Sequence, residues 1–346
     1  MEKNERFLIR KEKWGILVQD KLYDRIWALK DMELPDTIYT LSPYKYEDEF
    51  MDKTIAYKDL DLESPISISW EITSNCNSKC IFCCNDSGKR YGELPFDKIK
   101  EIAQLLKEWG CMRIVIGGGE PLIRADIIPI LKLFENSSLK PAIATNGILL
   151  DDEKLLYQIS KSCITLQISL DTLEKKKYYK FRGVDALEKV MKNIILAKRY
   201  VENVRVVTVL NKENECELEA IAKFLNNIGI GQWFIFKLLP AGRGKDVIES
   251  LGILDDSEIK RRLRIINAQY KNLSTWYWGT ENSDGVAIYV SPLGNLEIID
   301  YMHNTRFKFF DDEWDMSKIR KAWKSIDVDT KRATILNFTS KNKVLK

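Results

Sequence analysis

The sequence predicts an α/β fold: six parallel strands alternating with helices and curled into a partial (β/α)6 barrel, with a small β-rich segment before it and an α+β segment after it. Three observations carry that prediction. Six short apolar runs recur between residues 66 and 239, separated by stripes of 3.6-residue period. Polar and glycine-rich residues collect just past the C-terminal end of each run, the face on which such barrels carry their chemistry. The 346 residues are enough to bury one barrel-sized core with small appendages.

Residues 1–65 stand apart from the barrel pattern. Phe7-Leu8-Ile9-Arg10, Trp14 to Val18 and Arg25 to Leu29 read as short strands, with turns near Gly15 and Asp20-Lys21. They predict a β-meander, followed by a polar connector rich in Tyr, Asp and Pro. The barrel strands are then expected at Ile66–Thr73, Arg113–Gly117, Ala142–Thr145, Ile164–Leu170, Val204–Leu210 and Trp233–Leu239. Between them, Ile99, Ile102, Leu105 and Leu106 form one helical stripe, and Leu218, Ile221, Ala222 and Leu225 another. Asp97, Asp126 and Asp151 are placed to cap helix starts, and Gly110 and Gly229 to end helices. The run Lys175-Lys176-Lys177 reads as a solvated turn. Beyond residue 245 the rhythm stops. Asp255–Asn267 and Asp315–Trp323 read as helices, and Trp276-Tyr277-Trp278-Gly279, Ala287–Val290 and Leu296–Ile299 as a small hairpin around Pro292 to Asn295. A basic tail follows.

Composition excludes several function classes. Charge is dense but balanced at a formal +3, without a long basic block, so no nucleic-acid partner is expected. There is no run of eighteen apolar residues, and the opening MEKNERFLIRKEKW lacks the apolar centre of a signal peptide, so neither a membrane nor secretion is expected. Seven cysteines, all between Cys76 and Cys216, suit a reducing cytoplasm and metal ligation better than a disulfide framework.

The chemistry centres on Cys76-Asn77-Ser78-Lys79-Cys80-Ile81-Phe82-Cys83, a C-x3-C-x2-C loop directly after the first strand. Three thiolates that close can hold a cubane iron–sulfur cluster by three irons and leave the fourth open to a ligand. A structural zinc site and a disulfide pair are the plainer alternatives. Against zinc, a second knuckle is lacking, Cys84 is too near its neighbour to close a tetrahedron, and the only histidine is the remote His303.

Some thirty-five residues on comes Ile116-Gly117-Gly118-Gly119-Glu120-Pro121. A C-x3-C-x2-C loop followed by a Gly-Gly-Glu-Pro turn after the second strand resembles the radical SAM superfamily, over about residues 66–245. The resemblance implies a radical SAM partial barrel in which Cys76, Cys80 and Cys83 hold one 4Fe–4S cluster and S-adenosylmethionine (SAM) chelates the open iron. It implies that Glu120 accepts from the SAM ammonium and that Gly118 and Gly119 give the close backbone approach. Phe82 would lie against the adenine, and Ser169 and Asn146 would bond the ribose. Arg182 of Phe181-Arg182-Gly183 would meet the SAM carboxylate, with Asp171 left as a turn residue. Thr208 and Leu239 would stand near the adenine.

The strand-rich N-terminus looks like that of radical SAM maturases of ribosomally made peptides, where such a domain binds a leader peptide as an added strand. A cap over one end of the barrel is the equal alternative. The C-terminal 246–346 resembles the SPASM or twitch extension of those maturases. With no cysteine after Cys216, and Trp278-Gly279 where the family often has a cysteine and glycine, no auxiliary cluster is expected there. A ferredoxin or flavodoxin electron donor and an anaerobic or protected setting are further implications.

Of the other cysteines, Cys111 and Cys163 precede strands and are expected to be buried core residues. Cys84 and Cys216 follow strand ends and are candidates to return a hydrogen atom to a substrate radical. Three functions compete: hydrogen abstraction from a ribosomally made peptide, leading to epimerisation or crosslinking; action on a small molecule such as a tetrapyrrole precursor; and a non-catalytic iron–sulfur or zinc protein. Ala241-Gly242-Arg243-Gly244-Lys245 is the one candidate anion pocket that would favour the second.

Overall fold

The computed structural model describes residues 6–21, 24–30, 62–89, 92–252, 254–278, 286–327 and 330–331. The polar connector over 31–61, Gly279 and the basic tail lie outside the described residues.

The N-terminal meander forms as expected. Strands β1 (Phe7–Glu12), β2 (Gly15–Asp20) and β3 (Arg25–Leu29) pair antiparallel in the order β1-β2-β3. Asp24, in the turn between β2 and β3, reaches under the main sheet. Its carboxylate accepts from Arg113 Nε and Nη2, both at 2.9 Å, and lies 3.4 Å from Arg205 Nη1. Burial pushes this carboxyl up, but the Arg113 and then the Arg205 guanidinium outweigh it and hold it below the ordinary range. Arg113 and Arg205 sit at the starts of their strands, so the meander closes the barrel at the end opposite the cysteine loop.

The six expected barrel strands are all present within one or two residues: β4 (Ser67–Thr73), β5 (Arg113–Gly118), β6 (Ala142–Thr145), β7 (Thr165–Ser169), β8 (Val204–Leu210) and β9 (Gln232–Lys237). Each pairs parallel with the next. The helices between them are α1 (Phe96–Trp109), α2 (Ile127–Lys132), α3 (Glu153–Ser162), α4 (Lys175–Arg182), α5 (Leu187–Tyr200) and α6 (Leu218–Asn227). The stripes pack inward: Ile99, Ile102 and Leu106 of α1, and Leu218, Ile221, Ala222 and Leu225 of α6, are buried. Gly110 ends α1 in a left-handed turn, as expected, whereas α3 is capped by Asp152 rather than Asp151. Asp97 lies in the first turn of α1, whose capping position is Pro95.

Two expectations are corrected. Lys175-Lys176-Lys177 is not a turn but the start of α4. Lys177 pairs with Glu217 at 2.6 Å while Tyr178 and Phe181 bury the other face. The alternation of strand and helix also does not stop near 245. Helices α7 (Gly244–Leu251) and α8 (Asp256–Gln269) cross back to β10 (Ser274–Trp278), a seventh parallel strand beside β9. Trp276 and Trp278 therefore belong to the edge of the main sheet and not to the hairpin. Their rings pack on Phe234 and Phe236 of β9, with centroids 5.4 and 4.9 Å apart.

The hairpin itself is β11 (Val286–Val290) and β12 (Leu296–Asp300), with β13 (Thr305–Phe310) added. It joins the other edge of the sheet, β11 running parallel to β4. The order is β10-β9-β8-β7-β6-β5-β4-β11-β12-β13. Helix α9 (Met316–Ser325), capped by Asp315, lays Trp323 edge-on to Trp109 of α1. Among the described residues no helix is long and apolar enough to cross a membrane.

Candidate active site

At the C-terminal ends of the parallel strands lies a cavity of ≈ 280 Å³. The loop from Ser74 to Gly88 forms one side of it, and three separate segments hold that loop in place.

The first is the turn after β5. Gly119 N–H donates to Thr73 O and Glu120 N–H to Asn75 O, both at 2.8 Å. A Cβ on Gly119 would lie 1.9 Å from Asn75 O. Gly118 and Gly119 line the cavity, but the close approach that demands glycine is to the stem of the cysteine loop. The second is the end of α4, where Lys79 N–H donates to Arg182 O and Ile81 N–H to Phe181 O.

The third is the segment after β9, read from sequence as a candidate anion pocket. Arg243 instead donates from Nε to Cys80 O at 2.8 Å and from Nη1 to Ser87 O at 2.7 Å, and pairs with Asp86 at 3.0 Å. Its backbone N–H donates to Cys83 O. Its charge is thus committed to the loop, and that expectation is withdrawn.

Cys76, Cys80 and Cys83 all face the cavity. Each sulfur receives one N–H: Cys76 from Ser78 N at 3.4 Å, Cys83 from Ser87 N at 3.4 Å, and Cys80 from Arg182 Nη1 at 3.6 Å. Such donors stabilise thiolates and cluster-bound sulfurs. Burial, with smaller contributions from the neighbouring Cys80, Glu120 and Cys83, pushes the Cys76 thiol up to about 11 against the Ser78 N–H, and burial raises Cys80 as well, with Arg182 opposing it there. Among the described residues no three His, Cys, Asp or Glu side chains stand at the spacing of a single-ion site. A cubane, whose ligated irons occupy separate corners, requires a wider triangle than zinc does. Three sulfurs that face one cavity, each with an N–H donor, are a donor set that fits such a cluster.

Cys84 lines the same cavity but differs in kind. Its sulfur points to Asn85 Oδ1 at 3.5 Å as a donor. It is exposed to the cavity while protein surrounds it, and burial pushes its thiol up to about 12. Cys216 lies in a short turn after β8, outside the cavity lining and exposed, with its sulfur near Glu213 O. The structure thus separates two cysteines that the sequence treats alike. Cys111 and Cys163 are buried, as expected.

Phe82, Asn146, Ser169 and Arg182 line the cavity. Arg182 is not free to grip a carboxylate with both arms, because Nε and Nη2 are held by Asp171 Oδ2 at 2.6 and 2.5 Å. Asp171 is accordingly no simple turn residue: it is fully buried and also accepts from Val209 N. Glu120 sits behind the wall. Its carboxylate accepts from Thr145 Oγ1, Asn146 N and Leu122 N at 2.7, 2.7 and 3.1 Å. Burial pushes it up to about 7 against those three bonds.

Thr208 is away from the cavity. Its hydroxyl donates to Leu170 O at 2.6 Å and accepts from Trp233 Nε1 at 2.8 Å, which makes it a tie between strands. Leu239 is half-buried and also outside the lining. Sequence reasoning missed Ser69, Glu71 and Tyr289, all of which line the cavity, and gave Arg243, which lines it too, to an anion pocket. The polar face Ser69-Glu71-Thr73 of an otherwise apolar strand was the available signal for the first two.

The model of the radical SAM superfamily matches residues 70–225. An AdoMet-dependent heme synthase of Methanosarcina barkeri is 25% identical over 228 residues, 65% of this chain and 61% of that protein. The mycofactocin maturase MftC of Mycobacterium ulcerans is 29% identical over 192 residues, 55% of this chain and 52% of that protein. The chain thus spans roughly half to six-tenths of the length of these curated relatives. The crystal structure of Streptococcus suis SuiB bound to precursor peptide SuiA shares the fold, with a TM-score of 0.66 and 17% identity, covering 91% of this chain and 89% of that one.

Proposed function

From the premise that this chain is a member of the radical SAM superfamily, whose cofactors are a 4Fe–4S cluster and SAM, we propose that it removes a hydrogen atom from a ribosomally made peptide. When bound, the cluster and SAM supply the 5′-deoxyadenosyl radical that makes such an abstraction possible. The observation that carries the reading is the cavity itself. Three N–H-supported sulfurs and one thiol of opposite hydrogen-bond character face the same space.

The chain's own residues do the rest. Cys76, Cys80 and Cys83 would hold the cluster. Phe82, packed between Phe181 and Arg182, gives the adenine a flat apolar wall. Asn146 and Ser169 present polar groups for the ribose. Glu120 accepts three bonds from its own chain and, from behind the wall, holds the turn against which the SAM ammonium would lie. Arg182, locked by Asp171, keeps Nη1 directed at Cys80 and so positions the loop more than it binds the SAM carboxylate. On this reading Cys84, which lines the cavity, returns a hydrogen atom, which favours epimerisation over crosslinking; Cys216, outside the lining, does not.

Likeness to MftC and to the fold of peptide-bound SuiB supports a peptide substrate. Likeness to a heme synthase keeps a tetrapyrrole precursor as the second reading. A ferredoxin or flavodoxin donor and a cytoplasmic setting complete the proposal.

The test is anaerobic turnover with SAM, reductant and each short peptide encoded beside the gene, in deuterated water. A peptide that gains one non-exchangeable deuterium supports epimerisation, and one that loses two hydrogens supports a crosslink. SAM cleavage with every peptide unchanged moves the assignment to the small molecule.

A further inference from the structure

The strands that wall the cavity face it with uncharged side chains, apart from the carboxylate of Glu71 on β4. Glu71 is 6% exposed, and its Oε1 has no hydrogen-bond partner among the described residues. An unpartnered carboxylate oxygen at that depth is costly unless something occupies it. The two other charged residues of the lining are already used: Arg182 by Asp171, and Arg243 by Asp86 and the loop carbonyls.

The charge balance around Glu71 is also incomplete. Arg306 Nη2 is 3.9 Å from Glu71 Oε1, beyond hydrogen-bond reach, while its Nη1 is 3.0 Å from Glu297 Oε2. One guanidinium, 41% exposed, thus serves two buried carboxylates. Burial pushes Glu71 up to about 7; Arg306 opposes this and Glu297 adds to it. Next to Glu71, Tyr289 turns its hydroxyl to that of Tyr301, so the neighbouring phenol is occupied.

We propose that Glu71 anchors a cationic side chain of the substrate, an ammonium or guanidinium of the lysine or arginine kind, at the β4–β11 side of the cavity. The inference rests on reading this cavity as the substrate site. A cation there supplies Oε1 with its missing donor and neutralises the second carboxylate of the Glu71–Glu297–Arg306 group. SAM carries an ammonium as well, so the test separates the two sources.

The experiment uses the full chain, anaerobically reconstituted, with SAM and no reductant. N-acetyl-lysine N-methylamide and its norleucine counterpart are titrated calorimetrically into the wild type, Glu71→Gln and Arg306→Gln. The wild type is expected to prefer the lysine probe by about tenfold or more. Glu71→Gln should erase that preference with SAM affinity unchanged, and Arg306→Gln should increase it. Equal binding of both probes by the wild type, or a preference that survives Glu71→Gln, overturns the proposal. So does a Glu71→Gln variant that loses SAM instead. Should Glu71→Gln fail to fold, a lysine preference in Arg306→Gln no greater than the wild type's overturns it as well. Absence of SAM cleavage once reductant is added would count against the functional reading, while the probe preference would still report on Glu71.

Discussion

Gly242→Ala tests how the cysteine loop is held. Gly242 has φ +54, and a Cβ there would lie 2.3 Å from Cys83 O and 2.4 Å from Cys84 O. That is roughly 1 Å inside ordinary contact, and both obstructing atoms are backbone, so no side chain can swing away. The left-handed conformation alone costs an alanine about 1–2 kcal/mol. Displacing Cys83 also loosens the bond from Arg243 N–H to Cys83 O, worth about 1 kcal/mol. The sum is about 2–3 kcal/mol, a factor of roughly 30 to 150 against the present loop geometry. Because the loop lies at the barrel mouth, the loss should appear in iron retention before it appears in global unfolding. The assay is iron and sulfide content after anaerobic reconstitution, followed over time against a chelator. Gly229→Ala is the control: its φ is +75 but nothing lies within 4 Å of the added carbon. The prediction is rapid iron loss in Gly242→Ala and wild-type retention in Gly229→Ala. Equal retention in both would refute the view that the Ala241-Gly242-Arg243 segment shapes the site.

Two further outcomes are expected. Cys84→Ala should keep its iron and still cleave SAM but give less than a tenth of the deuterated product, while Cys216→Ala should match the wild type; mass spectrometry of the peptide checks both, and equal yields from the two would remove Cys84 from the chemistry. Asp24→Asn should lose about 1–3 kcal/mol of stability, because the charge-assisted bonds from Arg113 and Arg205 to the Asp24 carboxylate become bonds to a neutral amide. The Asp24 carboxyl is held low in the folded chain, so its contribution is full above the unfolded carboxylate value of about 3.9 and is lost only as pH falls toward the folded one. Urea unfolding should therefore show a constant gap between wild type and variant from pH 7 to 5, and a gap that closes within that window would contradict the pairing.

The barrel was legible because its strands are short apolar runs that end in polar punctuation, and that pattern depends on burial alone. Strand β10 was legible as a strand but not its partner: Trp276-Tyr277-Trp278 reads as part of the hairpin that follows it, and nothing local shows that it pairs with β9 instead. The cysteine triad could be read from spacing, and all three cysteines line the cavity. What could not be read was the support around it. Arg243 looked like part of an anion pocket because a single sequence does not show that its guanidinium meets Cys80 O and Ser87 O from some 160 residues away. Asp171 looked like a turn residue because its partner, Arg182, is reached only through the packing of α4. Thr208 had the right strand and the wrong side. Glu71 was hidden in an apolar run, although its alternation with Ser69 and Thr73 marks the face that turns inward.

The most direct measurement of the central claim is SAM cleavage by the anaerobically reconstituted chain, wild type against Cys80→Ala, scored with iron content and peptide mass. The account predicts a full cluster and 5′-deoxyadenosine from the wild type, with a mass change in one neighbouring-gene peptide, and loss of all three in Cys80→Ala. A fully iron-loaded wild type that releases no 5′-deoxyadenosine would contradict it.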